Sequence, residues 1–133
     1  MGCSLAASLV AGIKEFRRSI SPAYLFVEPS ELVVMAEMRN VIKMGLRDIN
    51  FTIGPFITLV DGERFGTLWE ERRPLLLGQI TGADLVALTK TDSLPLTAQA
   101  AEMVALLQAY CPQVLLLSSR TGLGVKEVMT VIA

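Results

Sequence analysis

Ala83-Asp84-Leu85-Val86-Ala87-Leu88-Thr89-Lys90-Thr91-Asp92 is the stretch that decides the fold. An apolar run, Leu85–Leu88, passes directly into the polar turn Thr-Lys-Thr-Asp. A short apolar run that ends in a charged turn predicts a buried parallel strand that delivers polar groups at its carboxyl end. In open α/β sheets ligands bind at that end. A lysine stem can lie along a planar base, and an aspartate can accept two hydrogen bonds from an edge that offers N–H groups. Guanine has such an edge and adenine does not. Lys-x-Asp is a short pattern that also arises by chance, so its meaning depends on the rest of the chain.

The flanking sequence alternates in the same way. Upstream, Leu5, Leu9, Ile13, Phe16 and Ile20 recur at helical spacing, and Ser21-Pro22 closes that helix. Tyr24–Val27 predicts a short buried strand that ends in Glu28-Pro29-Ser30-Glu31, where Ser30 can cap a helix running to about Met44. Pro55–Val60 predicts the next strand, with Asp61 a candidate helix cap. Phe65, Leu68 and Trp69 are helically spaced, and Pro74 breaks that segment from a second helical piece over 75–81. Downstream, residues 93–96 read as a loop, and Thr97 can cap a helix over Ala98–Tyr110. Val114–Leu117 predicts a fourth strand, ending in Ser118-Ser119-Arg120-Thr121-Gly122, and Val125, Val128, Met129 and Ile132 stripe a last helix. Strict alternation of helix and strand predicts an α/β fold: a parallel sheet of about four strands with helices on both faces, in a single domain over 1–133.

Composition narrows the function classes. The chain has 133 residues, 52% of them hydrophobic, and a net charge of −1; its mean hydropathy is +0.51. That hydropathy fits strands buried on both faces. A spanning helix is not expected, because the longest uncharged run, Met103–Ser119, is interrupted by Gln108, Pro112 and Gln113. No basic stripe points to nucleic acid. The chain has no histidine, so Ser/His or Cys/His catalysis is excluded and no catalytic residue is assigned. Cys3 and Cys111 suggest a reducing, cytoplasmic setting rather than a disulfide framework. A receiver-like fold would need a phosphorylatable aspartate with acidic neighbours, and Asp61 with Glu63 imitates it poorly.

Taken together, the Thr89-Lys90-Thr91-Asp92 turn resembles the Asn-Lys-x-Asp guanine motif of P-loop GTPases, and Leu117-Ser118-Ser119 resembles their Ser-Ala base loop. Gly2-Cys3-Ser4-Leu5 followed by a helix, then Leu25-Phe26-Val27-Glu28-Pro29-Ser30, resembles the CobW group of the CobW/HypB/UreG GTPases. Those proteins carry a Gly-Cys-x-Cys-Cys metal motif, a helix, and a strand ending in Glu-Thr-Ser-Gly. The resemblance covers nearly the whole chain in order. It implies a GTPase-like domain related to metal-cofactor assembly, of metallochaperone or cobalamin-synthesis type. It also implies a nucleotide site of Thr89, Lys90, Asp92, Ser118 and Ser119, with Glu28 as a switch-like acid. GTP or GDP is the implied ligand.

The sequence departs from that family at defined points. No Gly-x-x-x-x-Gly-Lys-Ser/Thr occurs in the chain, so it has no loop of its own to cradle phosphates, and magnesium is expected only with a phosphate loop from elsewhere. Of the cysteine motif only Cys3 remains, so no metal ligand set is expected. Glu31 replaces the glycine, and Thr89 replaces the asparagine. The chain is expected to be the later part of such a domain, truncated or degenerate at its N-terminal side and lacking the family's first strand, with a vestigial guanine-nucleotide site and no hydrolysis by this chain alone. Tyr24–Val27 is therefore expected to pair with Pro55–Val60, or strands are expected to pair between chains. A homo-oligomer, or docking to a metal-cofactor assembly protein, is the expected partnership. The competing reading is a scaffold that dimerises or docks and has lost the nucleotide.

Overall fold

The computed structural model describes residues 2–93 and 97–133, and the chain forms two compact units, Met1–Thr52 and Ile53–Ala133. In the first unit, α1 spans Cys3–Ser19 and α2 spans Met35–Gly45. Arg17 and Arg18 lie in the last turn of α1, where they complement the helix dipole. The N–H groups of Ile20 and Ser21 both donate to Phe16 O, and Ser21 adopts a left-handed φ of 50° before Pro22. Val33, Met35, Met38 and Leu46 are the buried apolar residues of this unit. A Cβ added at Gly45 would lie 2.4 Å from the Val10 side chain, which marks how closely α1 and α2 approach. Lys14 Nζ donates to Asp48 Oδ2 at 2.8 Å, from α1 to the loop after α2.

The second unit holds the sheet. Strand β1 spans Ile57–Asp61, β2 spans Leu85–Thr89 and β3 spans Val114–Leu116, all parallel in the order β1-β2-β3. Helices α3, Phe65–Glu71, and α4, Arg73–Ile80, connect β1 to β2; α5, Thr97–Gln108, precedes β3; α6, Val125–Ile132, ends the chain. Pro74 sits in the first turn of α4, where its missing N–H costs nothing and where it separates α4 from α3. Leu85, Val86, Ala87 and Leu88 are all buried, so β2 is covered on both faces. On one face Val60, Val86 and Leu88 pack with Phe65, Leu76, Ile80, Leu107 and Cys111. On the other, Thr130 and Val131 of α6 line a shallow hollow with Leu85 and Leu115. Among the described residues no helix is long and apolar enough to cross a membrane.

The α/β class and the parallel sheet between helices are as expected, with three corrections. The sheet has three strands rather than about four, because Tyr24–Val27 has no regular structure and is not a strand. A run with strand composition becomes a strand only when its N–H and C=O groups enter a ladder. Tyr24 and Phe26 are instead 69% and 71% exposed. No strand forms over Tyr24–Val27, where one was expected to pair with Pro55–Val60, and β1 ends the sheet order β1-β2-β3. Ser30 does not cap α2. It closes a local turn, accepting from Leu32 N through Oγ and from Val33 N through its carbonyl, and the helix starts at Met35. The loop expected over 94–96 and the side-chain cap expected of Thr97 lie outside the described residues.

Gly124, the residue before α6, has φ +75°, and a Cβ there would lie 2.0 Å from Leu116 O. Both the backbone and the close approach to β3 require glycine. Gly66, inside α3, has open space around its Cα. Gly124→Ala is expected to cost at least about 1–3 kcal/mol. Gly66→Ala is expected to be neutral, or stabilising by up to about 1 kcal/mol. Urea unfolding followed by circular dichroism checks both.

Candidate functional site at the carboxyl ends of the strands

The register pairs Asp61 with Thr89, so β1 and β2 end at the same level. Two bonds lock those ends: Thr89 Oγ1 donates to Val60 O at 3.1 Å, and Gly62 N donates to Thr89 O at 3.0 Å. Thr89, expected in the base site, thus ties β2 to β1. Lys90 follows in a left-handed conformation, φ 57°, and opens a single 3-10 turn over Thr91–Ser93 that Ser93 N closes on Lys90 O. A non-glycine residue held there stores strain of order 1–2 kcal/mol, the kind of backbone found where function fixes a side chain. The Lys90 ammonium lies 2.8 Å from Asp61 Oδ2 and 3.3 Å from Glu63 Oε2, with the side chain 51% exposed.

Asp92 faces the loop after β3. Ser118, which is 1% exposed, donates from Oγ to Asp92 Oδ1 at 2.6 Å and accepts from Thr121 N at 3.2 Å. Thr91 fastens the same loop, donating from Oγ1 to Leu117 O at 3.1 Å. Arg120 Nη1 stands 3.7 Å from Asp92 Oδ2, too far for a hydrogen bond. A carboxylate has about four lone-pair sites. With one on Ser118, Asp92 keeps acceptors for two N–H groups of a base edge. Ser119 is exposed beside Ser118 in the turn.

The structure joins Asp92 to Ser118 by a hydrogen bond, with Ser119 next in the chain, Lys90 two residues before Asp92 and turned to Asp61 and Glu63, and Thr89 at the end of β2. Glu28 belongs to the first unit, exposed in a stretch without regular structure. Sequence reading missed Asp61 and Glu63 as partners of Lys90, and Thr91 and Arg120 as neighbours of Asp92. Asp61 was expected as a helix cap; it instead closes the turn before α3, where Oδ1 accepts from Glu63 N at 3.0 Å and Arg64 N at 3.3 Å, and α3 has no side-chain cap. The only signal for its second role was its place at a strand end level with Thr89.

A family model for the CobW/HypB/UreG nucleotide-binding domain matches residues 1–117. The chain belongs to the CobW/HypB/UreG family. Comparisons with curated proteins and with solved structures find no match. The match to the CobW/HypB/UreG domain includes Glu28, Thr89, Lys90 and Asp92 and stops one residue before Ser118. Ser118 and Ser119 lie outside that match.

The charges of the site carry a pH dependence. Desolvation pushes the Asp61 carboxyl up, but the Lys90 hydrogen bond and charge and the N–H groups of Arg64 and Glu63 outweigh it and hold it below its ordinary value. The Ser118 hydroxyl, with help from Arg120, lowers Asp92. Hydrogen bonds to Asp61 and then Glu63 raise Lys90. A carboxyl lowered on folding stabilises above its unfolded value, about 3.9, and that contribution is lost as pH falls through the folded value. A lysine raised on folding stabilises fully below about 10.4, and the contribution is lost as pH rises through the folded value. Urea midpoints are thus expected to be level between about pH 5 and 10 and to fall on both sides. Asp92→Asn is expected to flatten the acid limb and Lys90→Met the alkaline one.

Proposed function

We propose that this chain carries a guanine-recognising site of CobW type at the carboxyl ends of β2 and β3. The carrying observation is the Ser118–Asp92 hydrogen bond of 2.6 Å, which fixes the carboxylate while leaving acceptors free. In this reading Asp92 accepts from the N–H edge of the base, the Lys90 stem lies along its face, and backbone N–H groups near Ser119 meet its carbonyl. Thr89 supports the turn from below. An adenine edge presents an acceptor where guanine presents a donor, so Asp92 selects between them.

Phosphoryl transfer asks for more than this chain supplies. The Lys90 charge is already balanced by Asp61 and Glu63, and the sequence carries no phosphate loop. GTP hydrolysis, with its magnesium, therefore needs phosphate-binding groups from elsewhere, and this chain alone is expected to bind without turnover. The domain's role in this reading is nucleotide sensing in metal-cofactor assembly in the cytoplasm, with the metal or cofactor as cargo.

A second reading, association with a copy of itself or docking on an assembly protein, is favoured by the position of β1 at the end of the sheet order. Leu59, in the middle of that strand, is 64% exposed. An open edge with an exposed apolar residue is a template for pairing. Leu59→Lys is expected to shift sedimentation toward the monomer.

Titration of a fluorescent guanine nucleotide, its adenine analogue and an Asp92→Asn variant tests the base site. Guanine-selective binding weakened at least about tenfold in the variant is expected. Equal binding of both bases, or no effect of Asp92→Asn, contradicts it.

A further inference from the structure

Lys90 is the residue of the site whose surroundings the guanine reading leaves unexplained. Its ammonium rests on two carboxylates from the turn after β1, at 2.8 Å and 3.3 Å. Asp61 is itself held at both ends: Oδ1 takes the N–H groups of Glu63 and Arg64, and Oδ2 takes Lys90. The bonds between Thr89 and residues 60 and 62 fix the turn against β2. The contact is thus built by the register of the sheet rather than by a chance meeting of flexible side chains.

We propose that Asp61 and Glu63 are the positioning residues for Lys90: they anchor its ammonium on the β1–α3 turn, so that the lysine serves the ligand through its stem and not through its charge. The proposal rests on the guanine reading for the identity of the ligand. It deepens that reading by naming what is recognised, the guanine nucleoside rather than its phosphates. An ammonium already paired with two acids offers a phosphate little attraction, and the acids themselves repel one. Guanosine and GDP should therefore bind this chain alike.

The test uses the full chain and two readouts. The first is the side-chain nitrogen resonance and titration of Lys90 by NMR, without ligand. In the wild type a slowly exchanging ammonium signal is expected, with titration above that of an ordinary lysine. In Asp61→Asn the signal should be lost and the titration should fall, and Asp61→Glu should restore both. The second is binding of guanosine and of GDP by calorimetry. Affinities within about threefold of each other are expected for the wild type. Asp61→Asn should weaken guanosine roughly three- to tenfold while shifting the preference toward GDP, because the freed ammonium becomes available. A merely structural role would weaken both ligands equally. Glu63→Gln, which leaves the Asp61 turn intact, should shift the preference the same way by less, and it serves if Asp61→Asn does not fold.

Persistence of the Lys90 signal in Asp61→Asn, or wild-type preference for GDP by more than about tenfold, overturns the proposal. A clamp that is present in the wild type and lost in Asp61→Asn, in a chain that binds neither ligand, upholds the anchoring and overturns the guanine reading instead.

Discussion

The structure of the second unit depends on the double pairing of β2. Leu85–Leu88 has β1 on one side, β3 on the other and helices over both faces, so every residue of the run is withdrawn from water. Four apolar side chains at about 25 cal/mol per Å² of buried apolar area supply the driving force, and the two ladders satisfy the backbone that comes with them. That constraint fixes register, and register fixes everything at the carboxyl end. Asp61 stands level with Thr89, Leu117 N bonds Leu88 O, and the Lys90–Asp92 turn is held between two loops it did not choose.

At that end, polar groups are divided between holding and recognising. Ser118 is spent on Asp92 and Thr121, and Thr89 on Val60. Asp61 divides its two oxygens between a turn and a lysine. The groups left over are acceptors on Asp92, N–H groups of an exposed turn, and the hydrocarbon stem of Lys90. This set suits a flat base with donors on its edge.

The legible parts of the fold were those whose cause is local. An apolar run entering a charged turn made β2 and its Lys-Thr-Asp turn readable, and Pro74 marked the break between α3 and α4 as its backbone chemistry requires. Tyr24–Val27 was misread for the complementary reason. Its composition suits a strand, but composition does not provide a neighbouring ladder, and the segment has no regular structure and leaves its aromatic residues exposed. Within the site, Lys90, Asp92 and Ser118 were singled out from motif and resemblance, and the structure joins Asp92 to Ser118. The Asp61–Lys90 pair spans 29 residues and follows from sheet register, which the sequence did not show. Glu28 lies in the first unit.

The central claim is that the ends of β2 and β3 form one base-recognising surface. Amide NMR of the labelled chain with added guanosine measures it most directly. The account predicts shifts concentrated in residues 90–93 and 118–121, with adenosine producing none there. Guanosine shifts that fall elsewhere, or that adenosine reproduces at the same residues, would contradict it.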